Sequence, residues 1–303
     1  MTFSKQEIKP YSHELQLNHK RYLDVLKQDF LEHFANPVKR EKSAEDFDLM
    51  ATLGTGAFGT VFLVRDKISL EYLAMKALEK VQVIKKKNVK QLLLEKKILE
   101  SVTFPFVLNL EFCCKDNVDL KPENIFLTES GYIKLGDFGF CKIIRNRTWT
   151  ICGTPEYIAP EIILSKGYTF SVDWWSLGIL IFEMIAGYPP FYSSDTMKLY
   201  EKILAGTFKA PNCMTPACKS LVKSLLDVDP IKRFGSLKAG VFDIKKHMWF
   251  EDIDWHSILH QRTYPPYKPV IKNIGDTSNF YGTDNAKLKK SPECLFEKEF
   301  EHF

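Results

Sequence analysis

Three polar residues whose chemistry suits phosphoryl transfer lie within the six-residue segment DLKPEN. Asp119 can accept the proton of an attacking hydroxyl, and Lys121 can neutralise charge on a transferring phosphoryl group. Asn124 offers a neutral oxygen ligand of the kind that Mg²⁺ prefers. A further carboxylate, Asp137, follows in the segment GDFGF and could bridge a metal ion to phosphates. Together these residues predict a site that handles a metal-bound phosphate.

A glycine-rich segment, LGTGAFGTV, begins at Leu53 and could cover the phosphates of a nucleotide. Gly54, Gly56 and Gly59 have the G-x-G-x-x-G spacing, which lets a backbone approach phosphates without Cβ clashes. In a dinucleotide-binding fold a helix follows this spacing, whereas the residues after Gly59 have the composition of a β-strand. The strand favours a nucleotide-covering hairpin.

A lysine and a glutamate upstream of DLKPEN form a second candidate pair. Ala74 alternates with Lys76 on a predicted strand, and Glu95 lies 19 residues after Lys76 on a predicted helix. Paired with Glu95, the Lys76 ammonium would be directed at the α and β phosphates of a nucleotide. A surface salt bridge explains the same two residues equally well at this point.

The elements that must position these residues are strand-rich in the first part of the chain and helical in the second. Leu23, Leu26, Phe30 and Phe34 recur at helical spacing and predict an amphipathic helix that needs a docking surface. The predicted elements are a helix over residues 12–35, strands over 47–53, 61–64 and 72–78, a helix over 89–101, a short strand over 108–113 and a buried helix over 171–187.

The composition limits the classes of partner and compartment. Lys and Arg exceed Asp and Glu by 42 to 38, a net charge of +4 that is too dilute to predict nucleic acid as the main partner. The seven cysteines are odd in number and show no C-x-x-C spacing, so reduced thiols in the cytoplasm or nucleus are expected. The most apolar run contains Asp173 and Glu183 and falls short of a membrane span.

Five motifs in one order identify a family. After the glycine-rich segment, LAMK, DLKPEN and GDFGF, the segment TWTICGTPEYIAPE begins at Thr148 and ends in the triplet A-P-E. This order resembles that of eukaryotic Ser/Thr protein kinases of the AGC group, most closely those of the cyclic-AMP-dependent type. The resemblance runs from about Tyr22 to Phe303 and includes SVDWWSLG, KRFG, GDTSNF and EFEHF. It implies an α+β, bilobal protein-kinase-like fold with a β-rich small lobe and a helical large lobe.

The resemblance also implies an organisation and an activity. The implied parts are an N-terminal helix and linker (1–46), a small ATP-binding lobe (47–117), a large catalytic and substrate lobe (118–250) and a C-terminal AGC-type tail (251–303). ATP and Mg²⁺ are the implied cofactors, and Ser or Thr in basic, Arg-Arg-x-Ser-like proteins is the implied acceptor. A cyclic-AMP-binding regulatory subunit or a pseudosubstrate inhibitor is the implied partner.

Individual residues take roles from the same resemblance. The implied ATP-binding positions are Leu53, Gly54, Gly56, Gly59, Val61, Ala74 and Lys76, with Lys76 and Glu95 counted as catalytic beside Asp119 and Lys121. Asn124 and Asp137 are the implied metal ligands. Thr150 occupies the position that is phosphorylated in the activation segment, and Thr154 is expected to hold Asp119 and Lys121 in register.

The remaining implied roles concern recognition and packing. Glu123 and Glu201 match carboxylates that bind substrate arginines, and the apolar pocket for the residue after the acceptor matches Ile151, Pro155 and Ile158. Glu161 is expected to pair with Arg233. Phe300 and Phe303 form a terminal F-x-x-F that is expected to fold back onto the small lobe.

The chain departs from the family pattern between Asn117 and Val118. Only 43 positions separate Lys76 from Asp119 (119 minus 76), and the pattern needs several tens more. We infer an internal deletion that removes the hinge and the adjacent helices. Nucleotide affinity is then expected to weaken and to rest on the phosphates and an apolar lid, and the apolar run 174–185 is expected to lose its cover.

Two functions therefore stay open for this sequence. One is a Ser/Thr kinase, because Lys76, Glu95, Asp119, Lys121 and the metal-ligand positions are all present. The other is a catalytically impaired binding protein that engages regulatory subunits or pseudosubstrates, because the hinge is missing and Val118 stands where the pattern has an arginine.

Overall fold

The computed structural model describes residues 13–36, 42–56, 59–78, 80–85, 89–108, 120–136, 147–149, 153–280 and 296. The predicted site residues outside these ranges are Asp119, Asp137, Thr150, Ile151, Phe300 and Phe303. Internal contacts divide the chain into two compact units. The first is here called the helical unit, and its described residues are 120–125, 147–149 and 153–258. The second is here called the sheet unit, and its described residues are 13–108 with the gaps given above, 126–136, 259–280 and 296.

The sheet unit contains a three-stranded antiparallel sheet in the order β1-β2-β3. Its elements are α1 (His13–Ala35), β1 (Phe47–Gly56), β2 (Gly59–Asp66), β3 (Tyr72–Leu78), α2 (Lys80–Lys85), α3 (Val89–Ser101) and β5 (Ile133–Leu135), whose partner strand is β4 (Ile125–Leu127). On β2 the side chains of Phe62 and Val64 are buried, whereas those of Val61 and Leu63 are half-buried. This period of two shows that one face of the sheet packs inward.

The glycine-rich segment is followed by a strand, as predicted. β2 begins at Gly59 and pairs antiparallel with β1, so the described residues of the segment belong to two paired strands and do not open a helix. The amphipathic helix is also confirmed, because α1 lies against α3. Part of this contact places the Lys97 ammonium 4.4 Å from the centre of the Phe34 ring.

The helical unit is built around one apolar core. Its helices are α4 (Pro160–Ile163), α5 (Ser171–Ala186), α6 (Thr196–Ala205), α7 (Pro216–Leu225), α8 (Val241–Lys245) and α9 (Trp255–Leu259), the last residue of which belongs to the sheet unit. Trp175 and Ile179 of α5 pack with Leu221 and Leu225 of α7, and all four are fully buried. The chain is thus α+β, with the three-stranded sheet in one unit and a core built from helices in the other.

The expectation that the run 174–185 would lose its cover is wrong for most of its residues. Side chains from α6 and α7 join the same core cluster as α5, so Trp175, Ile181 and Phe182 are buried. Met184, at 61% exposure, is the clear exception. None of the helices in the described ranges is long and apolar enough to cross a membrane.

Candidate active site

Residues of the sheet unit that are predicted to bind the nucleotide lie side by side on three neighbouring strands. Gly54 on β1 pairs with Val61 on β2, and Val61 pairs with Lys76 on β3. Ala74 lies two residues from Lys76 and therefore projects from the same face. This face is opposite to the one that buries Phe62, so Gly54, Val61, Ala74 and Lys76 lie on the less buried side of the sheet.

Two glycines of the glycine-rich segment, Gly54 and Gly59, have different steric surroundings. A Cβ added to Gly59 would lie 1.9 Å from the carbonyl oxygen of Ala77 on β3, so the neighbouring strand excludes any side chain there. A Cβ added to Gly54 would meet no atom within 4 Å. Gly59 is thus required by strand packing, whereas the open side of Gly54 leaves room for a ligand to approach the backbone.

Glu95 of α3 is buried inside the sheet unit. Glu95 is 2% exposed, while Lys76 on β3 is half-buried, and neither residue is without a partner. A buried carboxylate is costly unless it is hydrogen-bonded or paired, so its burial demands a donor. The pairing of Lys76 with Glu95 stays a prediction that fits this burial.

The DLKPEN segment is anchored to the core of the helical unit by its apolar residues. Leu120 and Ile125 pack against the core cluster and hold the short 3₁₀ turn Pro122–Asn124 between them. The Lys121 ammonium donates a hydrogen bond to the hydroxyl of Thr154, with 3.2 Å between Nζ and Oγ1. The structure therefore brings together the catalytic-segment lysine and the threonine that sequence analysis predicted would hold it.

The structure describes one of the two predicted metal ligands. Asn124 is the last residue of the 3₁₀ turn and is buried, while Asp137 lies outside the described residues. An amide oxygen and a carboxylate together are a donor set that suits Mg²⁺. Elsewhere in the described ranges, His, Cys, Asp and Glu form no group of three that could hold a metal ion.

A buried ion pair ties the residues after Thr154 to the core. Arg233 Nη1 lies 2.7 Å from Glu161 Oε1, and Nη2 lies 2.9 Å from Oε2. The same guanidinium donates to the carbonyl oxygens of Ser171 and Asp227 and lies 5.1 Å from the Trp175 ring centre. The predicted Glu161–Arg233 pair is confirmed, and its bidentate geometry suits a fully desolvated site.

The predicted substrate-binding residues separate into exposed and buried groups. Glu123, Glu201 and Pro155 are exposed, whereas Ile158 is a buried member of the core cluster. Ile158 therefore offers little surface to a substrate side chain.

Sequence analysis gave no functional role to an acidic residue beside this segment. Glu183 of α5 accepts a hydrogen bond from the hydroxyl of Tyr157, which directly precedes Ile158. Ser176 donates to the Tyr157 carbonyl oxygen at 3.3 Å and adds a second link between α5 and the segment. The sequence feature that could have indicated this contact is the carboxylate of Glu183 within the most apolar helix, because a carboxylate in such a helix needs a polar partner.

Asp173, on the first turn of α5, has a perturbed acidity. Desolvation by the surrounding protein raises the pKa of the Asp173 carboxyl to about 6. The residue also keeps solvent-exposed surface, where water screens part of its charge.

Comparisons with known proteins identify the family. A protein kinase domain model matches residues 118–250. The cAMP-dependent protein kinase catalytic subunit PRKX of Homo sapiens is 40% identical over an alignment that covers 78% of this chain and 81% of the relative. The PRKX subunit of Mus musculus is 37% identical, with 88% and 89% covered. The cAMP-dependent protein kinase catalytic subunit 3 of Drosophila melanogaster is 39% identical over 80% of this chain.

The alignments also bear on the missing segment. The mouse alignment runs over 316 residues, whereas 88% of 303 residues is about 267, so about 49 aligned positions have no counterpart in this chain. The kinase domain match begins at residue 118, the first residue after the inferred junction. This chain spans about half the length of the Drosophila relative and 47% of a catalytic subunit from Dictyostelium discoideum. The sheet, the helical core and these similarities together make the chain a member of the AGC group of serine/threonine protein kinases, with an internal deletion.

Proposed function

We propose that this chain transfers the γ-phosphoryl group of ATP to serine or threonine in basic protein substrates. The observation that carries the proposal is the hydrogen bond between Lys121 and Thr154 in the helical unit. It joins the segment that contains the predicted base to the segment that contains the predicted substrate pocket. A cation fixed at this junction is suited to stabilise charge that develops during transfer.

Each step of the proposed reaction is assigned to a residue of the sequence motifs. Asp119 accepts the proton of the substrate hydroxyl, whose oxygen forms the new bond to the γ-phosphorus as the bond to ADP breaks. Lys121 neutralises charge on the transferring group, and Lys76 binds the α and β phosphates. Mg²⁺, held by Asn124 and Asp137, would neutralise phosphate charge.

Recognition of basic substrates is proposed to rest on carboxylates of the helical unit. Glu123 and Glu201 are exposed, and Glu183 is oriented by the Tyr157 hydroxyl beside the substrate segment. Three carboxylates favour arginine-rich peptides, since guanidinium groups bind carboxylates through paired hydrogen bonds. The same acidic residues would accept a pseudosubstrate inhibitor or the inhibitory segment of a cyclic-AMP-binding regulatory subunit.

A catalytically impaired binding protein is the second candidate. The missing positions between Asn117 and Val118 favour it, because they remove the hinge whose backbone binds adenine in the family pattern. The helical unit, by contrast, keeps a buried core and the Glu161–Arg233 pair. Under this reading the chain binds Arg-Arg-x-Ala peptides through the helical unit without transferring phosphate.

The test is Mg²⁺-dependent phosphorylation of an Arg-Arg-x-Ser peptide by the purified full chain. We expect Asp119→Asn to lower the rate by at least about a hundredfold, in the range typical of a lost general base. Asp252→Asn makes the same chemical change at an exposed aspartate of the helical unit and is expected to leave the rate unchanged.

Three results separate the readings. Phosphorylation that depends on Asp119 supports the enzyme. Phosphorylation that survives Asp119→Asn would contradict the proposed base. Absence of phosphorylation, together with micromolar binding of the Arg-Arg-x-Ala peptide, would replace the enzyme with the binding protein.

A further inference from the structure

A short 3₁₀ turn, Met248–Phe250, lies at the edge of the core of the helical unit and is here called the aromatic turn. Trp249 and Phe250 pack against the core cluster, and their ring centres are 4.7 Å apart. The Phe250 ring also lies 5.1 Å from the ring of Trp255 at the start of α9. The aromatic turn therefore connects the core to the helix that follows it.

A histidine directly before this turn caps it. The Trp249 backbone amide donates a hydrogen bond to Nδ1 of His247, with 3.2 Å between the two nitrogens. The first amides of a helical turn have no backbone acceptor within it, so a side-chain acceptor at this position stabilises the turn. An amide can donate to Nδ1 only when that nitrogen carries no proton. The cap therefore requires the neutral ring with its proton on Nε2.

The second ring nitrogen of His247 lies against α7. His247 Nε2 is 3.2 Å from the hydroxyl oxygen of Ser220, and in the tautomer that the cap requires it donates to that oxygen. The edge of one ring faces the other where His247 meets Phe234, with 6.1 Å between the ring centres. His247 thus joins the aromatic turn to α7 through a single ring whose two nitrogens have different partners.

Protonation of His247 would affect its two nitrogens differently. Nε2 carries a proton in both states, so it can donate to Ser220 in both. Nδ1 changes from an acceptor into a donor, and its new proton would face the amide proton of Trp249. The hydrogen bond that caps the aromatic turn is then lost, while the contact with α7 is kept.

The surroundings of the ring favour its neutral form. Desolvation lowers the pKa of His247 from its ordinary value of 6.5. Among the described residues, no ion pair joins this ring to a carboxylate. The cations on α7, residues 227–236, α8 and residues 246–251 are Lys219, Lys223, Lys232, Arg233, Lys245 and Lys246, and the carboxylates are Asp227, Asp229, Asp243 and Glu251. The Cys218 thiol of α7 adds no charge, because burial raises its pKa.

We propose that His247 is a proton-sensitive clasp, which caps the aromatic turn and holds it on α7 when the ring is neutral and releases the cap when the ring is protonated. Because the folded state binds this proton less tightly than the unfolded chain does, the clasp is fully formed above about pH 6.5 and is lost as the pH falls below that value. Acidification therefore loosens one edge of the core. The inference goes beyond the proposed function and does not depend on it.

Hydrogen exchange of the full chain between about pH 7.5 and about pH 4.5 tests the clasp. The rates are corrected for the intrinsic pH dependence of amide exchange. We expect the corrected rate in a peptide that covers residues 248–253 to rise by about fivefold on acidification, within the range that one lost hydrogen bond produces. A peptide that covers residues 217–224 of α7 should show no such rise.

A matched pair of variants separates His247 from other titrating groups. His247→Asn keeps an acceptor at the cap and removes the titration, since asparagine is a favoured capping residue, so its corrected rate should not depend on pH. His33→Asn makes the same change at an exposed histidine of α1 and should respond to pH as the wild-type chain does. Asp173, with a pKa of about 6, titrates in the same range, but it is present in every variant and cancels in the comparison.

Nitrogen NMR of the histidine rings tests the wild-type chain directly. The His247 signals are those missing from the spectrum of His247→Asn, and at about pH 7.5 they should show Nδ1 without a proton. A proton on Nδ1 at that pH would overturn the inference. A wild-type exchange rate that does not depend on pH, or an equal pH response in His247→Asn, would do the same. None of these measurements uses phosphoryl transfer, so a chain that transfers no phosphate would still decide the question.

Discussion

Replacing Arg233 by methionine tests whether the buried ion pair holds the helical unit together. Methionine fills similar apolar volume but leaves the Glu161 carboxylate without its two guanidinium hydrogen bonds, which are 2.7 and 2.9 Å long. The carbonyl oxygens of Ser171 and Asp227 lose donors as well. Removing one partner of a buried pair typically costs about 3–5 kcal/mol of unfolding free energy. This is a large share of the roughly 5–15 kcal/mol that stabilises a domain.

The assay is urea unfolding followed by tryptophan fluorescence. All five tryptophans lie in the helical unit, so the signal reports that unit alone: Trp149, Trp174, Trp175, Trp249 and Trp255. With a urea dependence of about 2 kcal/mol per M, the midpoint should fall by about 1.5–2.5 M. Lys232→Met is the matched control, because its ion pair with Asp229 is 3.6 Å long and solvent-exposed. Such pairs contribute less than about 1 kcal/mol.

A second change separates loss of the pair from loss of packing. The double variant Glu161→Met, Arg233→Met removes both charges, so it should recover most of the stability that Arg233→Met loses. A midpoint for Arg233→Met within about 0.3 M of the wild-type value would refute the reasoning. So would a double variant as unstable as the sum of the two single variants.

Three further predictions concern the site residues directly. Thr154→Ala removes the hydroxyl that accepts the hydrogen bond of the Lys121 ammonium, so kcat should fall by about tenfold with little change in KM for the peptide. Thr154→Ser keeps a hydroxyl and should retain activity. Steady-state kinetics measures kcat and KM for both variants. Asp173→Asn should stabilise the helical unit by about 1 kcal/mol at pH 7.5 and not at pH 4, measured by urea unfolding with tryptophan fluorescence at each pH. Gly136→Ala should lower the calorimetric unfolding temperature, because the new Cβ would lie 2.6 Å from both Leu108 Cδ1 and Phe126 Cε2.

Each of these predictions has a contradicting result. Equal kcat values for Thr154→Ala and Thr154→Ser would show that the hydroxyl has no role. The sign for Asp173 follows from its raised pKa: the folded state binds the proton more tightly, so wild-type stability falls as pH rises from about 4 to 6. A stabilisation by Asp173→Asn that is larger at pH 4 would contradict that sign. For Gly136→Ala, an unfolding temperature equal to that of the wild-type chain would contradict the close packing.

Local patterns predicted the longer elements well. The strand over 72–78 and the helix over 89–101 were found with the predicted bounds, and the strand after the glycine segment distinguished a hairpin from a dinucleotide-binding turn. In these segments the hydrophobic period and the secondary-structure propensity agree with the tertiary packing. The helix α2 and the three-residue strands β4 and β5 were missed, because such short elements depend on pairing with distant residues.

The sequence predicted those site residues that belong to motifs, and it missed those whose role depends on contacts between distant parts of the chain. The motif order led to Lys121, Thr154 and the Glu161–Arg233 pair, all of which the structure brings together as expected. No motif signalled that Glu183 would accept a hydrogen bond from Tyr157, because 26 positions separate them. The expected loss of cover over the apolar helix was wrong, since the packing of α6 and α7 against it could not be read from spacing.

The central claim is that this chain binds a magnesium-bound nucleotide with Lys76 and Asn124 in the proposed roles, and calorimetric titration of the full chain with ADP in the presence and absence of Mg²⁺ tests it most directly. Lys76→Met in the sheet unit and Asn124→Ala in the helical unit should each weaken Mg²⁺-dependent binding by about tenfold or more, in line with a lost charge-assisted contact. Lys85→Met, at an exposed lysine of α2, should bind as the wild-type chain does. Binding that is lost in Lys76→Met and unchanged in Asn124→Ala would contradict the claim.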